Sequence, residues 1–472
     1  MPGEDLCYIT ASEAIARFKA KSLSPVELME AVIARSNAVN PKLNALTATF
    51  YDRALDQARA AEAVYAKGDA PIRPLEGVPV AIKDSHPVKD EITTFGSLAF
   101  EHNRPMKSVP TVDRLLDAGA IMHCRTTCPE FAIGIVTHSR LWGVSRNPWN
   151  LEYSPCGSSG GAGAALASGM TVLADGSDSG GSIRAPASAC GVVGYLPPYG
   201  RNPSESGLEY EGLLRYGPLT RSVADAALMQ NVMSGQHLDD PSSFREKITL
   251  PASYPPAKGL RIALSIDLGF YQVDPVVETA LRKASSVLQD LGCVVTEVAL
   301  PWTVSVADAM NRYVEFLVHS SYASLMDEHE DLLGDHIKSL IGKGSRLKAS
   351  ELASFWSMRG VLYKGIQGIL ENFDLLICPT LSVPGVAANH SSMDTDFTVN
   401  GKPHGAYLEW GLTYPFNMLY YLPVMSIPCG VAPSNLPIGM QIVGRPFDDP
   451  TVFRLAAAFE SAQPWAGRHP QI

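Results

Sequence analysis

The 472-residue sequence has no excess of positive charge. Lysine and arginine number 38 against 48 aspartate and glutamate residues, so the formal net charge is -10. No run of basic residues interrupts this acidic balance. Because proteins that bind nucleic acid normally present a basic surface, we expect no nucleic-acid partner.

Long apolar runs and a secretion signal are also missing. No segment offers the roughly 18 uninterrupted apolar residues that a membrane-spanning helix needs. The first residues, MPGEDLCYITASEA, are acidic rather than basic and turn at once to a helical pattern. A secretion signal would instead begin with basic residues and continue with an apolar stretch. We therefore expect a cytoplasmic protein that does not associate with membranes.

Cysteine is sparse and irregularly spaced. The eight cysteines lack the regular spacing of a disulfide framework, which is typical of reduced thiols in a cytosol. Cys124 and Cys128 are four residues apart, but no further Cys or His cluster accompanies them. The glycine-rich segments lack the Lys-Ser/Thr ending of a P-loop, and no GxGxxG motif is present. The sequence therefore predicts no metal site and no cofactor.

Apolar stretches of strand length alternate with amphipathic stretches of helix length. TVDRLLDAGAIMHCRTT predicts a helix, a glycine turn and a strand, and GLRIALSID with VVETALRKASSVLQDLGCVVTEVAL predicts a strand–helix–strand unit. Hydrophobic residues make up 46% of the chain, which is typical of a globular protein. The pattern predicts one large α/β domain with a more polar, mostly helical elaboration over residues 302–373.

Two glycine- and serine-rich segments lie close together in the chain. GSSGGAG spans residues 157–163, and GSDSGGS spans residues 176–182. An isolated segment of this kind is most often a turn. The first segment also fits the letters G-x-S-x-G around Ser159. However, proline and asparagine precede it, where a nucleophile elbow requires a strand. These segments alone therefore assign no chemistry.

A lysine ends the short apolar run GVPVAIKD, residues 77–84. The run predicts a buried strand that carries Lys83 at its end. A serine hydroxyl needs a base before it can act as a nucleophile. A buried lysine can be that base, because burial lowers its pKa from about 10.4 toward neutrality. The alternative is a strand-end lysine that pairs with Asp84.

Six stretches together resemble the amidase signature family. They are GVPVAIKD (77–84), RNPWN (146–150), SPCGSSGGAGAALASG (154–169), DGSDSGGSIRAPASACGVVGY (175–195), GPLTRSVADAALM (217–229) and LPIGMQIVGRP (436–446). The resemblance follows the family's order over nearly the whole chain, more loosely over residues 235–375. It implies one amidase-signature domain over residues 1–472, an α/β fold with a mixed central β-sheet covered by helices on both sides. The core motifs would occupy residues 70–230 and 374–460, and residues 302–373 would be peripheral.

The resemblance also implies the catalytic residues. The family's catalytic lysine falls on Lys83, and its acylated nucleophile falls on Ser182. Its bridging serine, which follows a cis peptide bond, falls on Ser158. Protons would pass from Ser182 through Ser158 to Lys83. One glycine-serine segment would thus supply the nucleophile, and the other would supply the relay.

Further site residues follow from the same resemblance. The oxyanion hole falls on the backbone N–H groups of Ser179, Gly180, Gly181 and Ser182. The supporting polar residues are Ser159, Asp178 and Arg184. The expected substrate-binding residues are Phe131, Ala132, Ile133, Cys156, Tyr420 and Tyr421.

Three of these substrate-binding assignments have an alternative. Cys156 stands where the family commonly has glycine, and Tyr420 and Tyr421 lie in a turn bulkier than the family's. Plain packing in the interior is the alternative for all three. His86 and His138 are the histidines nearest to the motifs in sequence, and neither is assigned a catalytic role.

The resemblance implies an amide hydrolase that acts on a small-molecule amide through an acyl-enzyme. Esters, carbamates (urethanes) and aryl amides are further expected substrates. Family members are often homodimers, so a homodimer is the assembly that the resemblance implies. Two alternatives stay open: the glutaminase subunit of a tRNA-dependent amidotransferase, and a non-catalytic binding protein.

Overall fold

A mixed sheet of eleven strands runs through the molecule. The structure is a computed structural model that describes residues 5–67, 71–204 and 212–472. In chain order the strands are β1 Leu46–Thr49, β2 Pro79–Lys83, β3 Ile121–Thr126, β4 His138–Ser139, β5 Gly143–Val144, β6 Leu173–Asp178, β7 Val193–Leu196, β8 Arg215–Thr220, β9 Arg261–Leu264, β10 Val294–Glu297, β11 Leu375–Pro379, β12 Thr398–Val399, β13 Lys402–Pro403, β14 Val424–Val431 and β15 Pro437–Gly444. The order across the sheet is β1-β3-β2-β6-β8-β7-β14-β15-β11-β9-β10. Strands β4 with β5, and β12 with β13, form separate two-stranded ribbons.

Both parallel and antiparallel pairs occur in the large sheet. Strand β2 is parallel to β3 and to β6, whereas β6 is antiparallel to β8. At the other end β11 is parallel to β9 and antiparallel to β15. The prediction of a mixed central sheet is confirmed.

Helices occupy the connections between the strands. The described residues form α1 Ala11–Lys19, α2 Pro25–Leu43, α3 Tyr51–Lys67, α4 Pro110–Asp117, α5 Gly160–Ala167, α6 Arg184–Cys190, α7 Val223–Met233, α8 Pro275–Asp290, α9 Ser305–His329, α10 Asp335–Gly344, α11 Ala349–Asn372, α12 Tyr414–Met418 and α13 Asp449–Ala462. Short 3₁₀ turns cover Asp5–Tyr8, Leu98–Phe100, Glu130–Ala132 and Glu330–Leu332. None of the described helices is long and apolar enough to cross a membrane.

The apolar residues of single strands show that helices cover both faces of the sheet. Successive side chains of a strand point to opposite faces. In β2, Val80 and Ile82 join a core cluster with residues of α1 and α4, whereas Ala81 joins a different cluster with residues of α5. In β11, Ile377 packs with residues of α8 and α13, and Leu376 packs with residues of α9 and α11. The predicted α/β fold with helices on both sides is therefore confirmed.

The helical elaboration is present but does not lie apart from the core. Helices α9, α10 and α11 fill most of residues 302–373, as the sequence predicts. Tyr313 and Phe355 stack with their ring centroids 3.8 Å apart. Both are buried in the same cluster as Leu376 of the central sheet. The apolar faces of these helices therefore cover one side of the sheet, and the peripheral position expected for the region stays a prediction.

Candidate active site

The carboxyl ends of two neighbouring strands bring the predicted site residues together. Strand β2 ends at Lys83 and β6 ends at Asp178. The two strands are parallel and adjacent, since Val80 and Ala81 pair with residues of β6. Parallel neighbours end at the same edge of a sheet, where open α/β folds commonly bind ligands. The turn that carries Ser182 continues directly from β6.

Lys83 is fully buried and bonded to two serine hydroxyls. Its Nζ donates to Ser158 Oγ at 2.7 Å and to Ser177 Oγ at 3.1 Å. The alternative pairing with Asp84 does not form. Instead, that carboxylate accepts hydrogen bonds from the backbone N–H and hydroxyl of Thr94. The lysine amine is therefore directed toward the serine segments.

Burial changes the acidity of this amine. It lowers the pKa of Lys83 to about 8, although Cys128, Asp175 and Asp178 oppose the shift. Removing a charged amine from water disfavours its protonated form. At neutral pH about a tenth of such an amine is uncharged and able to take up a proton.

The two glycine-serine segments meet at one cavity. Ser158 follows a cis peptide bond from Gly157, as the resemblance implies. Ser158 and Ser182 both line the cavity. The backbone N–H of Ser159 donates to the Ser182 carbonyl at 3.1 Å, which joins the two segments. Ser158 is buried, whereas Ser182 is partly exposed to the cavity.

Three of the four predicted oxyanion donors face no other acceptor in the described part of the chain. The exception is Gly181, whose N–H donates to Asp178 Oδ1 at 2.7 Å. No described group accepts from the N–H of Ser179, Gly180 or Ser182. The expectation is therefore corrected for Gly181: its N–H already has a strong acceptor.

Gly181 has a steric reason to be glycine. Its φ is +132°, and a Cβ there would lie 2.1 Å from Thr413 Oγ1. That separation is far shorter than a van der Waals contact, and only glycine adopts such a φ readily. Thr413 Oγ1 donates to the Gly180 carbonyl at 2.5 Å. The turn before Ser182 is thus closely packed against the Thr413 side chain.

A buried ion pair supports this turn. Arg184 donates from Nε and Nη2 to the two oxygens of Asp178, each at 3.0 Å, and both side chains are fully buried. Burial alone would raise the pKa of Asp178, but Arg184 overcomes it and holds the pKa well below its usual range. Further guanidinium bonds reach Gln441 and Asn417. The carboxylate therefore stays ionised and fixes the Gly181 N–H.

Sequence reasoning missed Ser177 as a member of this group. Its hydroxyl is the second partner of the Lys83 amine, and it also lines the cavity. Its carbonyl lies 3.5 Å from Ser159 Oγ, a long hydrogen bond. The sequence feature that could have identified Ser177 is its position in the same glycine-serine segment as Ser182.

The cavity has a volume of about 330 Å³ and is lined mainly by apolar side chains. One wall is a single face of helix α9, formed by Met310, Val314, Leu317, Val318 and Ser321. The lining also includes the predicted segment Phe131, Ala132 and Ile133. Phe131 stacks on Tyr322 with the ring centroids 4.0 Å apart. The apolar pocket expected near Phe131 and Ile133 is therefore present.

Cys156 does not line this cavity. It is buried in a cluster with Ile135, Ala185 and Trp410, and burial raises the pKa of its thiol. Its φ of +60° lies in the left-handed region, which glycine adopts more readily than other residues. Its buried position agrees with the packing alternative, and its contact with a substrate stays a prediction.

Tyr420 and Tyr421 also lie outside the cavity lining. The guanidinium of Arg359 sits 3.3 Å above the ring centroid of Tyr420, which is buried in the core. Tyr421 is 44% exposed and packs against Phe447. Both rings pack against neighbours in the protein, and their contact with a substrate stays a prediction.

Known proteins match over the full length of the chain. The Amidase family model matches residues 27–453. An acylamidase from Rhodococcus erythropolis is 34% identical over 477 residues, covering 100% of this chain and 98% of that protein. The A subunit of glutamyl-tRNA(Gln) amidotransferase from Moorella thermoacetica is 33% identical over 497 residues, covering 99% of both.

Solved structures agree with this family. The crystal structure of a bacterial aryl acylamidase of the amidase signature family superposes with a TM-score of 0.90 at 29% identity, covering 98% of this chain and 99% of that one. The site also contains the buried lysine and the two serine segments that the resemblance requires. The chain therefore belongs to the amidase signature family, and the protein is an amidase.

Proposed function

We propose that this amidase hydrolyses carboxylic amide bonds of small molecules through an acyl-enzyme on Ser182. The observation that carries the proposal is the buried Lys83 amine, 2.7 Å from Ser158 Oγ and in the same site as Ser182. A lysine with a pKa of about 8 can act as a base near neutral pH. We assign the nucleophile to Ser182 rather than Ser158 because Ser182 is the more exposed of the two residues.

In the first half of the reaction, Ser182 Oγ attacks the amide carbonyl carbon. Its proton passes to Ser158 Oγ, and the Ser158 proton passes to Lys83 Nζ. The carbonyl oxygen becomes an oxyanion that the N–H groups of Ser179, Gly180 and Ser182 stabilise. When the C–N bond breaks, the proton returns along the same path to the departing amine.

The second half releases the acid. Water attacks the carbonyl carbon of the Ser182 ester and gives its proton to Ser158, while Lys83 takes the Ser158 proton. The oxyanion then collapses, the C–O bond to Ser182 breaks, and Ser182 recovers a proton from the relay. No cofactor is consumed in this sequence.

The cavity favours a substrate with an apolar part. Its described lining contains no Asp, Glu, Lys or Arg, and α9 supplies an apolar wall. Burial of apolar area stabilises a bound ligand by about 25 cal/mol per Å². Amides with aliphatic or aryl groups fit this surface. Carbamates and esters with the same groups are further proposed substrates, because the same acyl transfer to Ser182 would cleave them. The similarity to an acylamidase and to an aryl acylamidase supports this class.

A glutaminase component of an amidotransferase is the second candidate. Its support is the similarity to the A subunit of glutamyl-tRNA(Gln) amidotransferase, which is 33% identical over 99% of both chains. Glutamine, however, carries a carboxylate and an ammonium group, and these would need charged partners. The described lining offers none, which favours the apolar amide. Co-purification of a stoichiometric partner together with glutaminase activity would support the second candidate.

The test is an activity screen of the purified chain with Ser182→Ala as its inactive counterpart. The panel contains aliphatic amides, anilides, peptide amides, carbamates and glutamine. We expect turnover of apolar members, loss of that turnover in Ser182→Ala, and labelling of wild-type Ser182 by a fluorophosphonate. Turnover by Ser182→Ala at the wild-type rate would show that another residue is the nucleophile. Failure of the probe to label Ser182 under any condition would favour a non-catalytic binding protein.

A further inference from the structure

His86 lies beside the proposed catalytic lysine, although the proposed chemistry does not use it. Its backbone N–H donates to the Lys83 carbonyl at 3.0 Å, so it follows the end of β2 in a tight turn. Its side chain is buried, with 1% of its surface exposed. It nevertheless lines the same cavity as Ser158 and Ser182. A polar ring thus forms part of a mostly apolar wall.

Asp175 determines which nitrogen of this ring carries the hydrogen. His86 Nδ1 lies 2.5 Å from Asp175 Oδ2, and Asp175 Oδ1 accepts from the Lys83 N–H at 2.8 Å. We assign Asp175 as the acceptor in both contacts, which places the hydrogen of the imidazole on Nδ1. Burial lowers the pKa of His86, although Asp175 opposes the shift, and this favours the neutral ring. In that tautomer Nε2 carries a lone pair and can only accept.

Nε2 has no hydrogen-bond partner among the described residues. The atom is buried, and the Tyr216 ring packs edge-on with the centroids 4.8 Å apart. The two nitrogens of an imidazole point in nearly opposite directions, so Nε2 faces away from Asp175. A buried acceptor without a donor is unfavourable. A donor from the cavity would remove this penalty once the ring or a neighbour such as Tyr216 shifts to open Nε2 to it.

On the basis of the proposed function, we propose that His86, held by Asp175, determines specificity by accepting a substrate N–H or O–H group at Nε2. The serine hydroxyls and backbone N–H groups of the site can donate, whereas this nitrogen only accepts. It would therefore distinguish a substrate with a donor from the same molecule with that donor methylated. The N–H of the scissile bond is the first donor to test, since every secondary amide carries it.

Binding can be tested without turnover in the Ser182→Ala protein labelled with ¹⁵N-histidine. Loss of signals in the Ser182→Ala, His86→Gln double variant assigns His86. We expect the pattern of an Nδ1-protonated ring, and we expect an added apolar anilide with a free N–H to shift the Nε2 resonance. The N-methyl counterpart is expected to leave it unmoved. An unchanged Nε2 resonance with the anilide, or equal shifts with both ligands, would overturn the proposal.

Kinetics supply the second test. The ratio of kcat/KM for the anilide to that for its N-methyl counterpart is expected to fall about 10-fold in His86→Leu. Part of the ratio should return in His86→Gln, whose side-chain carbonyl can accept. His138→Leu is the matched control, because His138 is exposed and outside the cavity lining, and it should keep the wild-type ratio.

The failures of the two proposals can be told apart. If Ser182 of the wild-type protein reacts with the fluorophosphonate but His86→Leu keeps the wild-type ratio, only the role of His86 is wrong. If Ser182 does not react, the acyl-enzyme proposal fails first, and the specificity proposal fails with it.

Discussion

The Nζ of Lys83 lies 2.7 Å from the Oγ of Ser158, and the whole lysine side chain is buried. Buried lysines are usually paired with a carboxylate. In the described part of this chain, Lys83 forms no ion pair, and its amine is bonded to the hydroxyls of Ser158 and Ser177. Hydroxyls can accept from an ammonium group or donate to a neutral amine. The arrangement therefore suits a lysine that changes its charge during a reaction.

The first prediction concerns the pH dependence of hydrolysis. The neutral amine is the proposed base, and its fraction rises with pH through the Lys83 pKa of about 8. We therefore expect kcat/KM to rise with pH and to level off above that value. Initial rates with an apolar anilide, measured between about pH 6 and 10, give the profile. A profile that falls with rising pH while the protein stays folded would contradict the assignment of Lys83 as base.

The same pKa fixes the sign of a stability change over this range. Because the pKa of Lys83 is lower in the folded protein, the unfolded chain binds more protons between about pH 8 and 10.5. The contribution of Lys83 to the free energy of unfolding therefore grows more favourable as pH rises through that window. A loss of activity over this pH window could therefore not be caused by a destabilising effect of Lys83 on the folded protein.

The second prediction separates the catalytic from the structural role of this lysine. Lys83→Met removes the base but keeps an unbranched side chain of similar length, and we expect kcat/KM to fall about 10³-fold or more. Burying the ammonium form is unfavourable, so the thermal midpoint should not fall. Lys283→Met, at an exposed position of α8, is the matched control for both measurements. A large loss of stability in Lys83→Met alone would assign this lysine to the fold.

Local sequence features predicted the strand and the residue types of the site. GVPVAIKD indicated a strand ending at Lys83, and the structure has β2 at Pro79–Lys83. The continuous apolar run was sufficient to predict this strand, because a strand that is buried on both faces shows no alternation of apolar and polar residues. The pairing of Lys83 with Ser158, however, joins residues 75 positions apart in the chain. Only the family resemblance brought those two residues together.

Contacts between distant elements were beyond the reach of local sequence patterns. The turn that contains Tyr420 is bulky, but the guanidinium of Arg359 covers the Tyr420 ring. Arg359 lies on α11, 61 positions earlier in the chain. No local pattern specifies that contact. The cavity wall was missed for the same reason: Met310, Val314 and Leu317 form a regular apolar face of α9, and nothing in its spacing distinguishes a cavity from the core.

The third prediction concerns the buried ion pair behind the nucleophile turn. Arg184→Met leaves the Asp178 carboxylate buried without its partner, and we expect the free energy of unfolding to fall by about 3–5 kcal/mol. Denaturant titration measures the change. Arg282→Met is the matched control: Arg282 pairs with Glu278 and Glu297 at the surface, where such pairs contribute about 1 kcal/mol or less. If the free energy of unfolding falls equally in the two variants, the buried Asp178 carboxylate does not need Arg184 for its stabilisation.

The fourth prediction tests whether the face of α9 contacts the substrate. Leu317 lines the cavity, and Leu317→Ala removes apolar contact area there. We expect kcat/KM to fall about 10-fold for an amide with a long apolar group, and much less for the acetyl analogue, which cannot reach as much of the wall. Ser320→Ala, at an exposed position of the same helix, should leave both values unchanged. Equal losses for the long and short substrates in Leu317→Ala would mean that the helix shapes the site without touching the substrate, and the apolar part would then have to bind against the segment around Phe131.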